Sequence, residues 1–256
     1  MANRDFSRPF AGAEAELAFP GDVGIGAHGM PAKRVQEWLV YHGARLKIDG
    51  EFGGATDRAV REFQASGPFA DDEINGVVDD RTWQHLTAPL HRAMRPIDGT
   101  GKTVNELVVA YARQHLVEKP VEIGGPNDGP FVRAYMLGNG GRIWQWCAGT
   151  VSLWLAQACA AAGVPMPIKP SFGVPELARS AKARGRFSAD GPPVPGDVFV
   201  IPTATGSWSH TGIVLEVRGD RFLSAEGNTN TEGGSDGVCA RSVLRNPARC
   251  DFIRVG

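Results

Sequence analysis

The sequence predicts an α+β protein, built as a small three-helix N-terminal unit followed by a larger α+β domain with an antiparallel sheet. Three observations carry this expectation. Apolar residues recur at helical spacing between residues 31 and 87, a second helical stretch begins after residue 103, and short β-type runs bounded by Gly, Pro or Asn take over from residue 198. At 256 residues the chain also exceeds the usual domain of roughly 100 to 150 residues, which favours two units.

Composition narrows the function classes. A hydrophobic fraction of 42%, 21% charged residues, 33 Gly and 18 Pro describe a loop-rich globular chain and exclude a disordered, collagen-like or coiled-coil one. The net charge of −1 is too even for a nucleic-acid or anionic-membrane binder that relies on a field of Lys and Arg. Residues 1–20 hold acidic residues and a proline where a secretory signal needs an unbroken apolar core, and no apolar run approaches a bilayer span. The expectation is a chain made in the cytoplasm without a signal peptide or membrane insertion, acting as a monomer. The four cysteines are too few and too widely spaced for a disulfide scaffold or a zinc knuckle. With no P-loop, dinucleotide fingerprint or metal-spaced cluster, no cofactor and no metal are expected.

Along the chain, residues 1–30 show no period and read as an irregular arm. Val35, Trp38, Leu39 and His42 mark one face of a first helix, stopped by Gly43. A second helix follows Asp49-Gly50-Glu51-Phe52-Gly53-Gly54, with Thr56 as its expected N-cap and Ala59, Val60 and Phe63 as its buried side. A third, short helix is expected at residues 81–86. The pattern Asp49-Gly50-Glu51-Phe52 with Thr56 returns as Asn75-Gly76-Val77-Val78 with Thr82, which predicts two similar turns, each with an apolar plug and a helix cap. Residues 31–87 suffice for this unit, and residues 88–102, with Pro89, Pro96 and Gly99, read as a linker.

In residues 103–256, Val104, Leu107, Val108 and Tyr111 mark a helix ending near Pro120. A second runs from Cys147 to Ala162 and is closed by Gly163, and a third covers residues 175–184. Strands are expected at 198–201, 211–217, 221–225, 238–243 and 252–255.

Cys147 therefore sits at a helix N-terminus, where the dipole favours a thiolate, and a thiol nucleophile also needs a histidine. This part of the chain holds two histidines. His115 lies on a predicted helix face, whereas His210 opens a strand after a loop, a good position for a base facing a cleft. The base needs an orienting partner, and the next strand ends in Ala225-Glu226-Gly227-Asn228, so Glu226 and Asn228 are both candidates. Singly, each has a plain alternative as a turn residue or a solvated charge, and the ordered set carries the argument. Cys159 reads as a packing residue. Cys239 and Cys250 lie on consecutive predicted strands and are either paired or reduced and buried.

The words Trp146-Cys147-Ala148, Pro195-Gly196-Asp197-Val198, Ser209-His210-Thr211-Gly212-Ile213-Val214 and Glu226-Gly227-Asn228-Thr229 resemble, in order, the motifs of the CHAP family of cysteine- and histidine-dependent amidohydrolases and peptidases, which belong with the papain-like thiol hydrolases. The resemblance implies a papain-like domain over residues 103–256 that cleaves amide bonds in peptidoglycan. Cys147 would be the nucleophile, His210 the general base and then acid, Glu226 the group orienting His210, and Asn228 a further orienting or oxyanion-side residue. Trp144 and Gln145 make the approach to Cys147 unusually aromatic, as core or as cleft wall.

Residues 31–87 resemble the three-helix peptidoglycan-binding domain through Val35-Gln36-Glu37-Trp38-Leu39, Asp49-Gly50-Glu51-Phe52-Gly53, Ala59-Val60-Arg61-Glu62-Phe63-Gln64 and Thr82-Trp83. Together the two resemblances imply a modular cell-wall hydrolase, such as a phage lysin, that reaches the wall by release or delivery and whose first unit tethers it to peptidoglycan. The alternatives are a papain-like amidase acting on a small non-wall substrate and a non-catalytic wall-binding protein.

Overall fold

The computed structural model describes residues 6–189, 191–230 and 239–256. Val238, where the sequence starts its fourth strand, lies outside them. Among the described residues the helices are α1 (Ala11–Leu17), α2 (Met30–Tyr41), α3 (Gly54–Ser66), α4 (Asp80–Met94), α5 (Val104–Val117), α6 (Pro130–Tyr135), α7 (Cys147–Ala162) and α8 (Val174–Ala183). The strands are β1 (Phe187–Ser188), β2 (Val198–Pro202), β3 (Trp208–Arg218), β4 (Arg221–Thr229), β5 (Cys239–Arg245) and β6 (Asp251–Ile253). They form one antiparallel sheet in the order β1-β6-β2-β3-β4-β5, so the α+β expectation holds.

The repeated turns have a shared cause. Gln36 on α2 donates from Nε2 to Asp49 Oδ1 at 2.9 Å and to Thr56 Oγ1 at 3.2 Å, while its Oε1 accepts from the amides of Asp49 and Gly50 at 3.0 and 2.8 Å. Gln64 on α3 repeats this for the second turn, donating to Val77 O at 2.9 Å and Thr82 Oγ1 at 3.2 Å and accepting from Gly76 N at 3.0 Å. Each glutamine satisfies a buried turn that would otherwise leave amides unpaired. Gly50 and Gly76 both adopt φ of +75°, a left-handed conformation that a side chain disfavours. Thr56 is thus a buried hydrogen-bond partner, and Gly53 takes the cap position expected for it.

Three expectations change. The arm read as irregular contains α1, and its following residues add short bridges, Val23 to Val78 and His28 to Glu51, to the two turns. The short third helix is a 15-residue helix that carries Pro89 inside it and takes up the first half of the expected linker. Its N-cap is secure, since Asp79 accepts from Thr82 N at 2.8 Å. In the second unit, α6 and β1 were not anticipated; both are too short to show a period.

The largest difference concerns how the units meet. Trp38, Leu39, Trp83 and Leu86 belong to the same buried cluster as Phe131, Tyr135, Trp146 and Leu153, so one core runs through both. Trp38 and Tyr41 pack on Phe131 with ring centroids 6.0 and 5.6 Å apart. At the same junction Arg133 of α6 is buried and binds Glu16 of α1 at 2.8 and 3.2 Å, Glu37 of α2 at 3.2 Å through Nη1 and also through Nη2, and Asp128 at 2.8 Å. Glu16 and Glu37 hold the guanidinium charged and raise its pKa against the cost of burial. Arg92 of α4 adds a bidentate pair with Glu118 at 2.9 and 2.7 Å. The N-terminal unit and the second unit therefore share a core and a buried ion cluster, beyond the linker of residues 88–102 that the sequence suggested.

The second core lies between the helices and the sheet. Leu107 and Val108 of α5, Val151, Trp154 and Leu155 of α7 and Leu177 of α8 pack on Val198, Val200, Ile213, Ala225 and Ile253. A smaller cluster of Phe199, Val214, Phe222, Phe252 and Cys250 covers the other face.

Candidate active site

Strand alternation decides which side chains share a face. His210 pairs with Ile201, Gly212 with Phe199 and Ile213 with Ala225. Ile213 and Ala225 point to the helices, which sends His210, Ser224 and Glu226 to the face of the phenylalanine cluster. The Phe199 ring lies 6.3 Å from the His210 ring.

Glu226 is fully buried and heavily engaged. Its Oε2 takes a hydrogen bond from His210 Nε2 at 2.8 Å and another from Arg245 Nη2; its Oε1 takes one from Arg245 Nε at 2.7 Å and one from the Ser224 hydroxyl. Burial alone would push this carboxyl up, yet the His210 and Arg245 contacts outweigh it and hold the group below its usual range, ionised. Burial likewise opposes charge on His210, but the Cys147 thiol and the Glu226 carboxylate together raise its pKa to about 9. With Nε2 given to Glu226, His210 Nδ1 is buried and has no nitrogen or oxygen partner among the described residues. It is the ring atom left for a reacting group.

Cys147 opens the 16-residue helix α7 and is 3% exposed. No side chain caps this N-terminus, so its first amides and the helix dipole face the thiol. Gly227 brings the sheet to this turn: a Cβ there would lie 2.5 Å from Thr150 Oγ1 and 3.0 Å from the Trp146 ring. Any side chain at Gly227 would force β4, and with it Glu226 and Asn228, away from α7.

Asn228 sits where the β4–β5 register shifts, with φ of +53°, an uncommon conformation for a residue other than glycine. Its side chain is fully buried, and neither its Oδ1 nor its Nδ2 has a partner among the described residues. It makes no hydrogen bond to His210, so the orienting contact belongs to Glu226. A buried amide without partners is costly unless something else uses it.

The remaining candidates sort clearly. His115 is buried between Tyr135 OH at 3.0 Å and Gln157 Oε1 at 2.9 Å, and burial lowers its pKa to about 4, so it stays neutral as a structural group. All four cysteines are free. Cys239 and Cys250 do not pair: β5 and β6 follow each other in the chain but are separated by three strands in the sheet. Burial raises the Cys159 and Cys250 thiols to about 11 and about 12. Asp197, in the Pro195-Gly196-Asp197-Val198 turn, is buried against Arg254 and serves the fold. Trp146 is core, stacked on Tyr135 at 5.7 Å, whereas Trp144 is half-buried against Phe172. Among the described residues no group of three or more His, Cys, Asp or Glu could hold a metal ion.

Sequence reasoning missed Arg245 and Ser224. Ser224 carries a readable signal, standing two residues before Glu226 and hence on its face of β4. Arg245 pairs with Phe222, and only the β4–β5 register puts it on that face too.

Residues 29–86 match the family model of the putative peptidoglycan binding domain, and residues 135–228 match that of the CHAP domain. The two matched segments follow one another in the chain, the putative peptidoglycan binding domain model first and the CHAP model second. No curated protein matches it. Among solved structures, the crystal structure of a Burkholderia AP3 phage endolysin is similar over 36% of this chain and 36% of that one, at 27% identity and a TM-score of 0.24. The matched region spans about a third of that endolysin.

Proposed function

We propose that the protein is a peptidoglycan hydrolase that cleaves an amide bond of the bacterial cell wall with Cys147 as nucleophile and His210 as base and acid. The observation that carries this reading is the His210–Glu226 hydrogen bond of 2.8 Å, which leaves Nδ1 to the Cys147 thiol, whose contact raises the imidazole's pKa. Both family matches point to the same substrate.

In the reaction, the Cys147 proton has already passed to His210, whose raised pKa keeps the imidazole protonated, and the thiolate attacks the amide carbon, helped by the α7 dipole. The tetrahedral oxygen is stabilised by first-turn amides of α7, with the unpartnered Asn228 amide as a further donor. The C–N bond breaks, and His210 returns the proton to the departing amine. Water, deprotonated by His210, then attacks the acyl-enzyme thioester; the C–S bond breaks and a carboxylate leaves. Glu226, held charged by Arg245, keeps the imidazole oriented and stabilises it while protonated. The amide is either the sugar–alanine bond or one within the peptide stem or cross-bridge, and mass spectrometry of fragments from defined peptidoglycan identifies it.

Cys147→Ala is expected to abolish fragment release from purified walls while wall binding in a pull-down persists. Continued release by this variant would remove Cys147 from the role of nucleophile.

A further inference from the structure

Beside the α7 N-terminus lies a cleft of about 860 Å³ whose walls include Trp144, Gln145, Lys169, Ser171, Phe172 and Arg184. Cys147 and His210 do not line it, yet it is fixed to their support. Gln145 stands two residues before Cys147, and Ser171 exchanges two hydrogen bonds with Ser152 of α7, at 2.9 and 3.0 Å. Anything lying in the cleft is thereby held in register with the first turns of α7.

One wall is apolar. Trp144 meets Phe172 edge-on at 5.5 Å, and Ile143 at the rim is 84% exposed. The other wall is basic. Lys169, Arg179 and Arg184 line the cleft against a single carboxylate, Glu176, and that carboxylate is already paired with Arg179 on the same helix. Lys169 and Arg184 form no ion pair with a carboxylate among the described residues. In a chain with a net charge of −1 this is a local excess of positive charge beside an apolar wall.

From this juxtaposition we propose that the cleft binds the acidic peptide stem of the substrate, with Lys169 and Arg184 taking its free carboxylate and the Trp144–Phe172 wall taking its aliphatic part. The inference rests on the function proposed above and adds a specificity to it: stems with a free carboxylate are preferred over the same stems carrying a carboxamide. The reason is charge. A carboxamide keeps the shape of the group but loses the ionic attraction to both cations, and it offers them one acceptor oxygen where the carboxylate offers two.

The test uses the full-length Cys147→Ala protein, so that binding is read without turnover, and two synthetic tetrapeptide stems that differ only in carboxylate or carboxamide. Titration calorimetry is expected to show the acid bound about tenfold more tightly, the scale of two exposed ion pairs acting together. Adding K169A and R184A should bring the two affinities together by weakening the acid alone, with an unchanged circular dichroism spectrum. Equal affinities in the parent, no binding of either peptide, or an equal loss for both in the triple variant would overturn the inference. Wall lysis by the wild-type chain against Cys147→Ala is scored separately, so failure of the cleft assignment and failure of the nucleophile assignment are distinguishable.

Discussion

Two buried ionic clusters use the same chemistry to opposite ends. At the junction of the units, Arg133 meets Glu16, Glu37 and Asp128, and its Nε, Nη1 and Nη2 all donate to carboxylate oxygens. At the candidate site, Glu226 meets His210, Arg245 and Ser224, but the cluster stops short of closure: among the described residues no nitrogen or oxygen partner meets His210 Nδ1 or the buried Asn228 amide. A saturated network can only hold parts together. An unsaturated one keeps hydrogen-bonding capacity for a ligand, at a cost that the rest of the fold must offset.

The comparison can be broken most severely by removing one side of the junction. Deleting residues 1–95 takes away Trp38, Leu39, Trp83, Glu16 and Glu37 together and exposes Phe131, Tyr135 and Trp146. The expected result is a chain that fails to fold, inactive on intact walls and on soluble muropeptides alike. A soluble fragment that still cleaved muropeptides would mean that the units are tethered and the shared core is dispensable.

A single substitution gives the next largest effect. Arg133→Met leaves the buried Glu37 and Glu16 with only the longer contacts to Lys33 at 3.5 Å and Arg34 at 3.4 Å, and a loss of about 3 kcal/mol in stability is expected. Denaturant unfolding reads the loss, and cleavage per folded molecule should stay near wild type because Arg133 is no part of the candidate site. A stability change under about 1 kcal/mol would show that the cluster is well solvated and holds little.

The smallest effect separates the two clusters by pH. His210 is raised to about 9, so the stability it lends is present in full below its ordinary value of about 6.5 and is lost as pH rises through about 9. Arg133, raised further from its already high value, does not titrate in that range. Activity should therefore fall above about pH 9 while the junction stays intact. In Glu226→Gln the carboxylate that raises His210 is gone, and the alkaline limb should move to lower pH. An unchanged limb in a rate profile would separate Glu226 from the imidazole's titration.

Helix α7 was legible because its causes are local: an apolar run opened by Cys147 and a glycine at its end, which adopts φ of +67°. The repeated turns were legible as well, although the two glutamines that staple them act on residues up to 20 positions away, beyond the reach of a local pattern. Helix α1 escaped because seven residues rich in Ala and Glu carry too little pattern, and its stability comes from α6, far along the chain. Arg245 escaped because its role depends on strand register rather than on its neighbours in sequence.

By itself the sequence determined the periodicities, the stops and the order of the chemical groups, since helix and strand propensity, caps and turn conformations act over a few residues. It placed Cys147 at a helix start and His210 and Glu226 on successive strands. Only the tertiary structure decided that Glu226 rather than Asn228 bonds His210, that Arg245 joins them, and that Arg133 meets Glu16 across 117 positions. Those contacts are selected by packing, where two cores must exclude water at once, and a buried charge is stable only where its partner is brought to it by the whole fold.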